Sequence, residues 1–330
     1  MPVSTTIPGK TTETGESYMD VTVENFKTVE TAFQFDRSLA MCGGQVNRFA
    51  HLRAPVPLDR QSVIRMQRDT LYSVAIVDIS AGAELTLPDT GDRYISAHIV
   101  NADHYTNAVL HDPGTHRLTT EQYDTDYVQV SIRILADPND PDDMATVHGL
   151  QDAVQVSAGS AVPYTHPDYD TAQYDRLYKL ILELGDFSSD ATSAFGPKDE
   201  VDPIQHLINT AIGWGGLPSY ETVYLNDTSP HPVGHYRLRL HEVPADAFWS
   251  MSIYNRDGYF EANPYDSYNI NSVTAHRSSD GSVTLDMDTE DAGYENFLYV
   301  MDGWNWVFRL YRPRPEVLDG TWQLPEIEQV

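Results

Sequence analysis

The sequence predicts a mainly β chain of the α+β class, with two jelly-roll-like antiparallel β-sandwich modules and a helical connection. Three observations carry this. β-branched and aromatic runs separated by turn residues fill residues 62–134 and return from Tyr236 onward. Helical periodicity is concentrated outside those two stretches. Apolar residues make up 41% of the 330, with 20 tyrosines, enough to fill a large sheet core. Strand runs on both sides of a helical segment also exclude the regular alternation of a parallel βαβ fold.

In order, residues 1–16 are rich in Ser, Thr and Gly and read as a flexible tail. Val23, Phe26, Val29 and Phe33 recur at helical spacing, and Gly43-Gly44 supplies a stop. Strands are expected at Leu71–Ile79, Glu84–Leu87, Arg93–Asn101 and Tyr127–Ile134, divided by turns such as Asp89-Thr90-Gly91-Asp92. Asp140-Pro141 and Asp202-Pro203 each place an N-cap before a first-turn proline, opening helices over Met144–Val154 and Ile204–Ile212. Tyr174, Leu177, Tyr178, Ile181 and Leu184 mark a further amphipathic helix ending at Gly185. Strands return at Tyr236–Leu240, Phe248–Tyr254, Ser282–Met287, Phe297–Val300 and Trp306–Tyr311. The expected division is an N-terminal β module over 17–160 with its leading helix, a helical connection over 161–232 and a C-terminal β module over 233–330. No internal repeat of 20 to 50 residues is visible.

The net charge of −28, with four lysines among 21 basic residues, is dispersed along the chain rather than gathered in a block. This reads as a solvated surface adapted to high salt, where the Debye length falls to about 3 Å. The expected result is a melting temperature that rises from dilute buffer to molar salt; a flat curve would sink the idea. Nucleic acid is not an expected partner, because no basic stripe is present. There is no apolar run of about 18 residues and no signal-like start, so no membrane partner and a cytoplasmic location are expected. Cys42, the lone cysteine, rules out an intramolecular disulfide and a thiolate zinc cluster, and reads as packing.

Two dense motifs stand out, Arg65-Met66-Gln67-Arg68-Asp69-Thr70-Leu71-Tyr72-Ser73 and Phe248-Trp249-Ser250-Met251-Ser252-Ile253-Tyr254-Asn255. The first, followed by Val77-Asp78-Ile79-Ser80, Leu87-Pro88, Arg93-Tyr94 and Asp103-His104-Tyr105, resembles the N-terminal domain of unknown function numbered twelve fifty-four. Val243-Pro244, Phe248-Trp249-Ser250, Tyr254-Asn255-Arg256-Asp257-Gly258-Tyr259, Asp280-Gly281-Ser282, Arg309-Leu310-Tyr311-Arg312-Pro313 and Asp319-Gly320-Thr321-Trp322 resemble its partner, numbered twelve fourteen. The chain departs from the pattern at Gln67, where the family has asparagine, and at Asn296-Phe297-Leu298-Tyr299, where it has asparagine-x-leucine-proline. The resemblance implies two jelly-roll-like domains and a homo-oligomer, and no settled chemistry.

Arginine, aspartate, tyrosine and asparagine at strand ends are costly to bury unpaired, so both motifs point to a lined pocket for a small-molecule ligand or substrate. The enzyme reading is cofactor-independent acid/base chemistry, hydrolysis or elimination. Its catalytic candidates are Arg68, Asp69, Tyr72, Asp103, His104 and Tyr105, with His104 moving the proton, Asp69 or Asp103 orienting it, and Tyr72 or Tyr105 donating to developing charge. The plainer alternative is an Arg68–Asp69 ion pair fixing a strand end, with His104 bonded at a loop. Trp249, Tyr254, Asn255, Asn263, Trp304, Trp306 and Arg309 are the ligand-binding candidates, with the tryptophans as apolar floor and Arg309 anchoring a carboxylate or carbonyl. Core packing is the alternative for the aromatics. No Gly-x-Ser-x-Gly elbow points to a known hydrolase, and no cofactor is expected, because the chain has no Gly-x-Gly-x-x-Gly loop or Walker loop. No metal is expected either; if one is present, His98, Asp103 and His104 are the first ligands to consider. Non-catalytic binding, and more weakly an assembly role, are the opposing functions.

Overall fold

The computed structural model describes residues 10–11, 17–61, 64–188 and 191–330. A short pair, β1 (Lys10–Thr11) and β2 (Ser17–Tyr18), comes first; the rest of the tail expected over 1–16 lies outside the described residues. Helix α1 (Phe26–Met41) buries Phe26, Val29 and Phe35, and its end is followed by Gly43 and Gly44 at φ of 70° and 74°, values that cost glycine no Cβ clash.

Next come β3 (Ala50–His51), β4 (Thr70–Asp78), β5 (Ala83–Leu87), β6 (Ile95–Asn101), β7 (Thr106–Leu110), β8 (Gly114–Leu118), α2 (Thr120–Tyr123), β9 (Tyr127–Leu135), α3 (Pro141–Ala153) and β10 (Gln155–Ala158). Helices α4 (Thr171–Gly185) and α5 (Pro203–Gly213) follow. As expected from the Asp-Pro pairs, Asp140 and Asp202 accept hydrogen bonds from the second and third amides of α3 and α5. The rest is β11 (Thr222–His231), β12 (Tyr236–Leu240), β13 (Ala245–Tyr254), β14 (Asn269–Asn271), β15 (Val283–Asp288), β16 (Phe297–Tyr299), β17 (Trp304–Pro313), α6 (Pro315–Leu318) and β18 (Glu328–Gln329).

Sheet β3-β4-β9-β6-β7 packs on β10-β5-β8 through Leu71, Val77, Ile99, Val130, Ile132, Leu85, Leu87 and Leu118, all buried. Sheet β11-β17-β13-β14 packs on β16-β15-β12-β18 through Trp249, Met251, Phe308, Leu310, Leu238 and Leu285. Each is a β-sandwich, so the expected mainly β, α+β class is found. One correction concerns the helical connection drawn over 161–232. Thr222–His231, near its end, is β11, paired antiparallel with β17 from Thr222↔Tyr311 to Asp227↔Trp306. As a sheet edge with one face open, β11 tolerates Asn226, Asp227 and Pro230, which dilute the strand signal.

The two sandwiches are built alike. Strand orders β4-β9-β6-β7 and β11-β17-β13-β14 match step for step, and the pairs β5-β8 and β12-β15 occupy the same place in the second sheets. Register carries the match to residues. Tyr72, Arg133 and Ser96 lie in one row across β4, β9 and β6; Tyr224, Arg309 and Ser250 lie in the corresponding row across β11, β17 and β13. Asp69-Thr70-Leu71-Tyr72 recurs as Glu221-Thr222-Val223-Tyr224, and Ala136 N bonds Asp69 O as Arg312 N bonds Glu221 O. The repeat unit is a whole module, longer than a 20-to-50-residue window can detect.

Candidate inter-module site

A strand turns alternate side chains to opposite faces, so residues that share parity share a surface. In each large sheet one parity builds the sandwich core; the other meets the opposite module, and in β4 also helix α1, where Ile76 packs on Phe35 and Leu39. The second set of the N-terminal sheet includes Tyr72, Ser96, His98 and Arg133; that of the C-terminal sheet includes Tyr224, Ser250, Ser252, Tyr254 and Arg309. Between them Tyr94, Leu135, Leu217, Phe248 and Tyr311 form a buried apolar cluster, with the Phe248 and Tyr311 rings stacked 4.0 Å apart.

Each module clamps the other with an acid at the mouth of its first strand. Asp69, fully buried, accepts from Asn269 Nδ2 at 2.7 Å and Asn271 Nδ2 at 3.1 Å, both on β14. Glu221 accepts from the Tyr94 hydroxyl at 2.7 Å and pairs with His111 Nε2 at 2.9 Å, just past β7. Gln67 sets up the first clamp: its Oε1 accepts from the amides of Asp69 and Thr70. Burial pulls the His111 pKa down, but the hydrogen bond and charge of Glu221 outweigh it, and the net shift is upward. A raised folded-state pKa stabilises fully below the unfolded value of about 6.5 and is lost as pH rises through the folded value. Stability should therefore fall as pH rises from about 6.5 through the raised folded-state value, along a slope that His111→Gln flattens, which paired thermal melts would read.

Two guanidiniums occupy the middle. Arg309, 3% exposed, donates to Ser252 Oγ at 3.1 Å, to the Tyr254 hydroxyl at 2.9 Å and to Arg65 O at 2.7 Å. Arg133, 9% exposed, makes two hydrogen-bond contacts, both at 3.4 Å, to the Tyr72 hydroxyl and to His98 Nδ1, and lies 5.2 Å from the centre of the Tyr72 ring. None of these contacts is to a carboxylate, which is unusual for buried cations. Burial raises the Tyr72 phenol, yet Arg133, hydrogen bonds from Gln67 and Arg133, and Arg309 together bring it below its ordinary value. Tyr224 keeps 45% of its surface open although Arg309, Arg133, Tyr72 and Glu221 all act on its phenol. The buried polar seam between the modules therefore reaches the surface at Tyr224. Asp69 Oδ2, Ser250 Oγ and Thr222 Oγ1 are buried without a hydrogen-bond partner. Two other recesses, of about 180 and 250 Å³, lie on Arg93, Leu135 and Asn271 and on Trp249, Ser272 and Arg277. Neither is lined by Arg133, Arg309 or Tyr72, the residues in which the buried charge is concentrated.

Several sequence expectations are redistributed. Asp103, His104 and Tyr105 do not meet Asp69. Strands β4 and β6 both run antiparallel to β9, so the start of β4 lies beside the start of β6, and the β6–β7 turn is at the far end, roughly 20 Å along the strands. There His104 Nε2 accepts from Gly215 N at 2.9 Å, so Nδ1 carries the proton toward Thr210 Oγ1 at 2.7 Å, whose own hydroxyl donates to His206 O. Burial, then His206, His98 and Lys27, hold its pKa well below the ordinary value. His104 is a neutral packing histidine stacked on Trp214, with both nitrogens used. Asp103 accepts from Thr28 and Tyr105 from Lys27.

Arg68 does not pair with Asp69 either; it donates to Val56 O and lies over the rings of Tyr268 and Phe260. Trp249, Trp304 and Trp306 have the parity of the sandwich core, the face opposite Arg309. Asn255 and Asn263 brace their own loops through backbone amides at 257, 259, 265 and 267. Of the residues singled out, Asp69, Tyr72, Tyr254 and Arg309 do converge. Arg133, Tyr224, Ser250 and Asn271 were missed. An arginine inside the apolar run Val130-Ser131-Ile132-Arg133-Ile134 was the available signal, since a buried strand rarely carries one. His98 bonds Thr106 and Arg133, Asp103 is at the far turn, and among the described residues no cluster of three or more His, Cys, Asp or Glu is placed to hold a metal. No helix among the described residues is long and apolar enough to cross a membrane.

Fold and contacts together define a class: a tandem β-sandwich protein whose two like modules meet along a buried polar seam that holds Arg133, Arg309, Tyr72 and Tyr254. The chain belongs to the family that pairs two domains, with residues 46–158 matching the protein of unknown function DUF1254 and residues 225–315 matching the protein of unknown function DUF1214. The fold is shared with the VPA0106 protein from Vibrio parahaemolyticus, at 18% identity and a TM-score of 0.74 over 93% of this chain and 97% of that one. An uncharacterized protein from Burkholderia cenocepacia matches at 13% identity and a TM-score of 0.52, over 88% and 85%. No curated protein matches the sequence.

Proposed function

We propose that the chain binds a small organic molecule in the inter-module cleft and acts on it by cofactor-independent acid/base chemistry, with Tyr72 as the proton-transfer group. The observation that carries this is geometric: the buried Arg133 guanidinium, which has no carboxylate partner, lies 5.2 Å from the centre of the Tyr72 ring and reaches its hydroxyl at 3.4 Å, and its charge, with a hydrogen bond from Gln67 and the charge of Arg309, draws the phenol below its ordinary value. Perturbed groups of this kind in a cleft are a functional signature. The reaction class favoured is elimination. The phenolate takes a proton from a carbon next to a carboxyl or carbonyl, the electron pair moves onto that oxygen, and Arg133 or Arg309 holds the developing charge. The pair then returns to form the carbon–carbon double bond as a β leaving group departs, taking the proton back from Tyr72.

Non-catalytic binding of the same ligand is the second reading, and the open Tyr224 ring supports a cleft under either. An ultraviolet titration of the 20 tyrosines tests the carrying observation without knowing the substrate. One phenol is expected to ionise below the rest in the wild type and to vanish from the curve in Tyr72→Phe. A curve unchanged by the substitution removes Tyr72 from the acid/base role. Tyr72→Phe that binds ligand normally without turnover supports the enzyme; a wild type that binds without turnover leaves a binding protein.

A further inference from the structure

The duplication bears on what the cleft holds. Each module contributes one guanidinium flanked in register by one tyrosine and one serine, Tyr72–Arg133–Ser96 and Tyr224–Arg309–Ser250. A second polar group repeats beside each: His98 contacts Arg133 where Ser252 contacts Arg309. The acids repeat as well, Asp69 reaching β14 and Glu221 reaching the end of β7, so the two rows run in opposite directions across the cleft. Such an arrangement presents like groups from two sides to one occupant.

From these paired rows we infer that the occupant is a small dicarboxylate, with one carboxylate taken by Arg133 and the other by Arg309. The inference rests on the cleft reading above and names its ligand class. Charge supports it. Glu221 is engaged by Tyr94 and His111, and Asp69 gives its Oδ1 to two asparagine amides while its Oδ2 has no partner; neither acid bonds Arg133 or Arg309, which leaves both guanidiniums without a carboxylate. Two buried cations facing one cleft are offset by an occupant with two separated negative ends, and a guanidinium fork takes a carboxylate through two parallel hydrogen bonds. Arg133 has the most unspent capacity, because both its contacts are at 3.4 Å. Ser250 Oγ, buried and unpartnered beside Arg309, supplies a further donor.

The test is calorimetric titration of the full chain with malonate, succinate, glutarate, acetate, butyrate and inorganic phosphate, repeated for Arg133→Met and Arg309→Lys. The lysine variant keeps the buried charge in case Arg309→Met fails to fold. One dicarboxylate is expected to bind at least about 100-fold more tightly than the monocarboxylates. Arg133→Met should reduce it to monocarboxylate affinity, and Arg309→Lys should weaken it at least about tenfold through loss of the planar fork. Equal affinity for the two sets, phosphate as the tightest ligand, or no dicarboxylate binding would each overturn the inference. If the low-titrating Tyr72 phenol persists after such a result, the acid/base reading survives with a different ligand; if that phenol is absent while a dicarboxylate binds, only the acid/base reading falls.

Discussion

Replacing Asp69 with alanine is expected to destabilise the chain by about 3 kcal/mol, a loss typical of removing one partner from a buried charged hydrogen-bond network. Asp69 is fully buried and its Oδ1 is the acceptor for both Asn269 and Asn271. Without it two amide donors lose their partner. Because the bonds join the N-terminal module to β14 of the other, the damage falls on the contact between modules. Asp69→Asn separates shape from charge: it fills the same volume, and an amide oxygen still accepts one hydrogen bond. The alanine variant should show the larger fall in melting midpoint in urea. A loss under about 1 kcal/mol for Asp69→Ala would mean that the clamp contributes little and that the apolar cluster around Tyr94 and Phe248 alone holds the modules together.

The two buried arginines are expected to respond in opposite directions. Arg309→Met strips donors from Ser252 Oγ, the Tyr254 hydroxyl and Arg65 O, and a loss of about 2–4 kcal/mol should follow. Arg133→Met removes a desolvated cation that makes only long contacts, and it should be neutral or stabilising by about 1–2 kcal/mol, as when buried ionic groups give way to apolar ones of similar volume. A residue whose removal stabilises the fold is one whose presence serves something other than the fold. Thermal and urea unfolding of the two variants decides the point. A large destabilisation by Arg133→Met would make this arginine a structural group and weaken the case for the cleft.

Much of the secondary structure was legible because it is written locally. The Asp-Pro caps of α3 and α5, the Gly43-Gly44 stop and the apolar alternation of β4, β9, β13 and β17 are short-range patterns. β11 was not legible, since an edge strand needs apolar residues on one face only and Pro230 argues against it. The site was half legible. Asp69, Tyr72, Tyr254 and Arg309 stand out as polar groups at costly positions. Which of them meet depends on strand direction, and that placed His104 at the wrong end of the sheet and the tryptophans on the wrong face.

By itself the sequence determined the mainly β class, the family, the acidic surface charge and the positions where polar groups interrupt apolar strands, because each of these follows from composition or from neighbours a few residues away. Only the tertiary structure decided that the modules are duplicates, that Asp69 and Glu221 clamp opposite modules, and that Arg133 and Arg309 both act on Tyr72 and Tyr224. Those facts depend on strand order and on the packing of one sheet against another, which join residues more than a hundred positions apart and leave no periodic trace along the chain.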